Sequence, residues 1–306
     1  MTDRRDGHAH GVSAGADQRY LGAALALIVA YMAAEVAVAV ISGSLALLAD
    51  AGHMLADAGA LAAAVVAIRL ARRPAQGPWT YGLKRAEILS AAGNGVTLLV
   101  IAALIGYEAV RRLINPPPVE GLALLVVAVV GVAVNLAATW VLAKANRRSL
   151  NIEGAFQHIL TDLYAFAGTA AAGLVIYLTG YVRADPAASL LVVALMAWAA
   201  WRLMRASGRV LLQAAPADVD LADIRRHLLD TRGVRGVHDL HVWTVTSGLP
   251  VLSAHVVVDE ETMTDSCGGG VLDQLQGCLY GHFDVEHSTF QLEPAGHDDH
   301  ETQTHP

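Results

Sequence analysis

The segment LLADAGHMLADAGALAAAVVAI, residues 47–68, is apolar enough to lie in a bilayer, yet it holds Asp50, His53 and Asp57 in its first half. An amphipathic helix of a soluble protein surrounds such residues with more polar company. Here the neighbours are Ala, Leu, Val and Ile. The meaning of the three ionisable residues therefore depends on the rest of the chain.

The 306-residue chain is 55% hydrophobic and 16% charged, where ordinary soluble domains are about a quarter charged. Its mean hydropathy is +0.45, and together these values indicate a membrane protein. The net charge of −7 averages over unlike parts. Charges gather in the connections and in the C-terminal third, while the long apolar runs hold few. Cys267 and Cys278 both fall in that last third, which argues against a disulfide-stapled exported module and leaves room for one pair at most.

A membrane-spanning helix needs roughly 20 mainly apolar residues at about 1.5 Å each. Six stretches qualify: residues 20–41, 45–70, 86–113, 121–143, 154–178 and 186–212. The first is long, contains Glu35 and runs straight into the next, so it reads as a retained helix rather than a signal peptide. Six spans put the N-terminus, the second and fourth connections and the C-terminal part on one side. That side carries Arg69, Arg72, Arg73, Lys84, Arg85, Lys144, Arg147 and Arg148 near the helix ends, against Arg111, Arg112 and Arg183 on the other. The asymmetry predicts that both termini are cytoplasmic, and a bacterial inner membrane is the expected location.

After Gln213 the pattern changes. Leu221, Ile224, Leu228 and Leu229 share one face of an expected amphipathic helix, followed by the strands VHDLHVWTVT and PVLSAHVVVD joined at SGLP. A helix is expected around residues 271–280, and VEHSTFQLE reads as a last strand. The expected fold is a membrane α-helical bundle of six transmembrane helices with a C-terminal α+β domain of order α-β-β-α-β. The divisions are a flexible N-terminus (1–19), a transmembrane transport domain (20–213), a regulatory and dimerisation domain (214–294) and a polar, disordered tail (295–306).

An ionisable side chain in the membrane interior costs about 2.5–3.5 kcal/mol on insertion scales, so its presence marks a function. His53 and Asp57, four residues apart, project from one face of their helix. The fifth span repeats the spacing in GAFQHILTDLYAF, with His158 and Asp162. Two H-x-x-x-D pairs offer two imidazole nitrogens and two carboxylate oxygens, a tetrahedral first shell suited to zinc. The competing reading, a helix-stabilising His–Asp contact in each case, leaves their repetition in two apolar spans unexplained. Asp50, one turn before His53, serves equally as a helix cap or an entrance. Glu35 and Asn135 fit helix-packing hydrogen bonds or polar linings of a path.

The motifs SGSLALLADAGHMLAD, TYGLKRAEILSAAGNG, GAFQHILTD and HDLHVWTVTSGLPVLSAHV resemble, in this order, the cation diffusion facilitator family in its zinc-transporter branch. The resemblance runs from Leu21 to Glu293. It implies a transport site at His53, Asp57, His158 and Asp162, and a homodimer exchanging a metal ion for protons. It further implies a metallochaperone-like C-terminal domain with a regulatory zinc site at His238, His255, His287 and Glu293. Relatives with Asp in place of the first His take a broader or different set of metals, so His53 points to zinc over cadmium or cobalt. His241 is expected in packing and the cysteines as core thiols. Some relatives carry a metal site in the second connection, whereas here Lys84 stands where some zinc transporters have His. The terminal histidines His8, His10, His297, His300 and His305 read as solvated tail.

These features describe a secondary active transporter and no enzyme. The spans contain no H-E-x-x-H, so no glutamate is placed as the general base of an intramembrane metalloprotease. The remaining alternatives are a membrane-bound metal sensor and a carrier preferring Cd, Co, Mn or Fe, of which Mn and Fe favour more oxygen ligands. Zn2+ and protons are the expected ions, the bilayer and a second copy the expected partners, and neither an organic cofactor nor nucleic acid is expected.

Overall fold

The computed structural model describes residues 14–42, 45–116, 121–147, 149–264, 268–283, 285 and 287–297. Within the helices it does not describe the side chains of Glu35, Asp50, His53 and Asp57, and Cys267 and four of the terminal histidines also lie outside the described residues. Two compact units divide between Ser207 and Gly208.

The first unit contains helices α1 (Ala14–Ser42), α2 (Leu45–Ala71), α3 (Ala86–Ile114), α4 (Gly121–Leu142), α5 (Leu150–Thr179) and all but the last four residues of α6 (Ala184–Leu211). Over the described residues, four are long and apolar enough to cross a membrane: α3, α4 from Leu125, α5 and α6. The described apolar stretch of α2 is Ala58–Ala71. Two helices begin ahead of their apolar runs, α1 at Ala14 and α5 at Leu150. Hydropathy locates where a helix is greasy, whereas backbone hydrogen bonding continues until a cap stops it. Asp17 in the first turn of α1 is buried and accepts the Asn146 backbone N–H at 2.8 Å. Gly180, at φ 72°, closes α5 in the left-handed conformation.

Leu21, Leu61, Ile68, Leu142, Ile152 and Ile159 join α1, α2, α4 and α5 in one apolar core, while Leu98 and Ala102 of α3 meet Val192, Met196 and Ala200 of α6 in another. Small residues let the helices approach closely, as in membrane bundles generally. A Cβ on Gly131 of α4 would run into the Phe166 ring of α5, and one on Gly95 would lie 2.9 Å from Met204.

The second unit contains α7 (Leu221–Leu229), β1 (Val234–Thr244), β2 (Pro250–Val258), α8 (Glu260–Thr264), α9 (Gly268–Phe283) and β3 (His287–Pro294). The Asp220 side chain caps α7 by accepting the Ala222 N–H at 2.9 Å. Strand order is β1-β2-β3, antiparallel between the first pair and parallel between the second. The two helices α8 and α9 supply the crossover that a parallel pair requires. The sequence pattern predicts only one helix there, around residues 271–280. Ile224 and Leu228 of α7 pack with Val237, Leu252, Val256, Leu275 and Leu279. Leu221 and Leu229, expected on the buried face, are 40% and 38% exposed. Leu229 follows Leu228 by one residue, a rotation of about 100° off the buried stripe, and Leu221 is the first residue of α7.

Candidate metal centres

In the first unit, α5 carries His158 and Asp162 one turn apart. The His158 imidazole is 1% exposed and the Asp162 carboxyl 13%, with Nε2 4.0 Å from Oδ2. The helix around them is apolar, with Ile159 fully buried beside His158. A weakly exposed carboxylate and imidazole on one face supply one oxygen and one nitrogen donor. His53 and Asp57 lie on α2, and their side chains fall outside the described residues.

A contact that sequence reading missed ties these two helices together. The buried Asn151 side chain of α5 donates from Nδ2 to the Ala64 carbonyl of α2 at 2.9 Å. His158 follows Asn151 by seven residues and Ala64 follows Asp57 by seven, about two turns in each helix. Asn135, by contrast, donates within its own helix, to the Gly131 carbonyl at 3.1 Å.

In the second unit the sheet builds a compact donor set. Antiparallel pairing places His238 of β1 directly opposite His255 of β2, and the ring centroids are 5.0 Å apart. Glu293 enters from β3, where its register partner is Val257. Its carboxylate is 2% exposed, with Oε2 3.0 Å from His238 Nε2 and Oε1 2.8 Å from His255 Nδ1. One potential ligand atom from each of the three residues lies within 4.8 Å of the others. A carboxylate this buried requires hydrogen-bonding or charged partners, and the two imidazoles meet that need. Neutral imidazoles with an ionised carboxylate also provide three ligands of a tetrahedral zinc site.

Outer contacts orient these donors. His238 Nδ1 is 3.3 Å from Asp239 Oδ2, the carboxylate–imidazole arrangement that fixes a ligating ring. Asp239 sits at the register shift of β1 with a positive φ of 47°, a conformation that Asp tolerates better than most residues. Gln291 donates from Nε2 to Glu293 Oε1 at 2.8 Å. The adjacency of Asp239 to His238 was visible in the sequence. The role of Gln291 was not, because it depends on which face of β3 is buried.

His287 is not brought into this group. It lies exposed at the start of β3 opposite Val251, whereas Gln291 is opposite His255. Four register positions amount to roughly 13 Å along a strand. His241 is exposed opposite Ser253 rather than packed in the core. Cys278 is a partly buried free thiol, and burial pushes its pKa up.

Residues 21–212 match the family model of the cation efflux transmembrane domain, and residues 216–295 that of the cation efflux protein cytoplasmic domain. The chain is 40% identical over 289 residues to the metal cation efflux system protein CzcD of Cupriavidus metallidurans, covering 94% of this chain and 90% of that protein. It is 36% identical over 293 residues to the cadmium, cobalt and zinc/H(+)-K(+) antiporter of Bacillus velezensis, covering 95% and 93% respectively. The zinc transporter ZitB of Escherichia coli is 40% identical over 272 residues, covering 88% of this chain and 85% of the relative. Both halves of the molecule thus match in order and almost in full, and the chain belongs to the cation diffusion facilitator family, whose members are membrane transporters of metal cations and not enzymes.

Proposed function

We propose that this chain is a homodimeric zinc exporter that moves Zn2+ out of the cytoplasm in exchange for protons. The ion binds between α2 and α5, at His53, Asp57, His158 and Asp162. The observation that carries the reading is the His158–Asp162 pair, its imidazole buried and its carboxylate nearly so in an apolar helix, spaced like His53 and Asp57 in α2. The Asn151–Ala64 bond supports it. In helices of opposite direction, a seven-residue step from each end of that bond reaches the same depth at Asp57 and His158.

Metal coordination requires neutral imidazole and ionised carboxylate, so protons compete for the same ligands. An unperturbed histidine pKa of about 6.5 makes this competition effective near neutral pH. A site near the bilayer midplane, rocked from one side to the other, loads zinc from the cytoplasm and releases it when protons arrive. Six spans with both termini cytoplasmic, in a bacterial inner membrane, give that direction. Residues 20–213 form the transport domain and residues 214–294 the regulatory and dimerisation domain. Zinc at His238, His255 and Glu293 reports cytoplasmic zinc, and His287 stands outside this proposed ligand set.

Zinc flux in proteoliposomes with an internal zinc dye and an imposed pH gradient tests the reading. Asp57→Ala and Asp162→Ala each abolish dye-reported uptake, and unchanged flux in both would sink the site. No flux in the unaltered protein, with metal still bound, would favour a sensor. The name of the Bacillus relative favours a second reading in which cadmium and cobalt share the path. Competition by each ion in the same vesicles decides that point.

A further inference from the structure

Two histidines that neither candidate centre uses meet on the surface of the second unit. His227 lies in the last turn of α7 and His282 in the last turn of α9. Their ring centroids are 5.2 Å apart, with the planes tilted by 42°. Each ring is held by its own helix in the same way. His227 Nδ1 is 2.9 Å from the Asp223 carbonyl, and His282 Nδ1 is 3.1 Å from the Cys278 carbonyl. A carbonyl only accepts, so each Nδ1 carries the proton and each neutral ring keeps its lone pair on Nε2. Histidines that ligate metals are oriented by the same kind of outer contact. Phe283 packs edge-on against the His227 ring at 5.1 Å. The Asp223 carboxylate, paired with Arg226 at 2.7 Å, lies 3.5 Å from His227 Nδ1.

We propose that His227 and His282 form a separate surface site for a divalent transition-metal ion of zinc type, bridging α7 and α9. Two independent features support it. With zinc–nitrogen bonds of about 2.0–2.1 Å and a tetrahedral angle, two ligating imidazole centres stand roughly 5 Å apart, as these rings do. Both rings sit at helix C-termini, where the partial negative charge of the backbone dipoles favours a cation. Water completes the coordination on the exposed side. The site is built wholly within the second unit and does not rest on the transport reading. When filled, it pins the first helix after the membrane bundle to α9.

The test uses the full chain in detergent micelles with zinc ions alone. Modification of individual histidines by diethyl pyrocarbonate is followed by mass spectrometry, with circular dichroism to verify folding. Zinc is expected to slow modification of His227 and His282 severalfold at one common midpoint concentration. His227→Gln removes the protection of His282, His282→Gln removes that of His227, and Glu293→Gln leaves both protected. Absence of protection in the unaltered chain overturns the proposal whatever the variants do. Protection of either histidine that survives loss of the other, or protection of both that disappears in Glu293→Gln, also overturns it.

Discussion

At the scale of single residues, polar groups in apolar surroundings carry the most information. Asn151 is buried and spends its Nδ2–H on a carbonyl of another helix. Such a bond contributes about 1 kcal/mol net. Asn151→Ala is expected to lower the melting temperature in detergent by about 2–4 °C for a domain of this size. Zinc flux should fall by more than that stability loss explains, because α2 and α5 lose their common reference. Unchanged melting and flux together would show that the bond carries no weight. Cys278 offers a pH test. Its folded pKa lies above the ordinary thiol value of 9.0 because burial disfavours the thiolate. The raised value means that the folded state holds the proton longer than the unfolded state. The resulting stabilisation is complete below the unfolded thiol pKa and disappears as pH rises through the folded one. Site-resolved alkylation by iodoacetamide at pH 9 should run slower at Cys278 than at a free thiol in solution, and the lag should close at higher pH. The sequence showed that a thiol was present. Its partial burial came from the packing of α9.

At the scale of elements, glycine positions decide how closely helices approach. A side chain on Gly131 meets Phe166 across the α4–α5 contact. Overpacking of this kind costs typically about 1–3 kcal/mol, more than the helix propensity regained by removing a glycine, about 1 kcal/mol. Gly131→Val is expected to destabilise the bundle, read as a lower melting temperature, and Phe166→Ala in the same chain should recover part of the loss. Equal melting of Gly131→Val and the unaltered chain would place the two helices farther apart than described. The C-terminal elements were legible in outline. Alternation in VHDLHVWTVT and PVLSAHVVVD marked two strands, and the turn between them followed. VEHSTFQLE read as the last strand as well, but its parallel pairing with β2, the extra helix α8 and the outward turn of Leu221 were not legible. Parallel pairing joins segments about 30 residues apart through register alone, and local periodicity does not encode register.

At the scale of the whole molecule, the prediction concerns direction. Under the proposed exchange, flux follows the pH gradient. With protons at higher concentration on the side opposite the C-terminal domain, zinc should accumulate there, and collapsing the gradient with an ionophore should stop net transport. Flux unaffected by the ionophore would remove protons from the mechanism while leaving the metal site in place. Lys144, just past the end of α4, lies 3.3 Å over the Trp140 ring, the kind of partnership that suits a membrane–water interface.

By itself the sequence determined that the chain enters a membrane, that a small α+β domain follows, and that two H-x-x-x-D pairs need a functional explanation. Those signals are local: hydropathy over about 20 residues, alternation along a strand, and the cost of a charge among apolar neighbours. Tertiary structure decided which distant residues share a site. It set His238 opposite His255, brought the Glu293 carboxylate to both rings, kept His287 at the far end of β3, and joined His227 to His282 across two helices. Each of these depends on register or packing between segments far apart in the chain, where composition and periodicity carry no information.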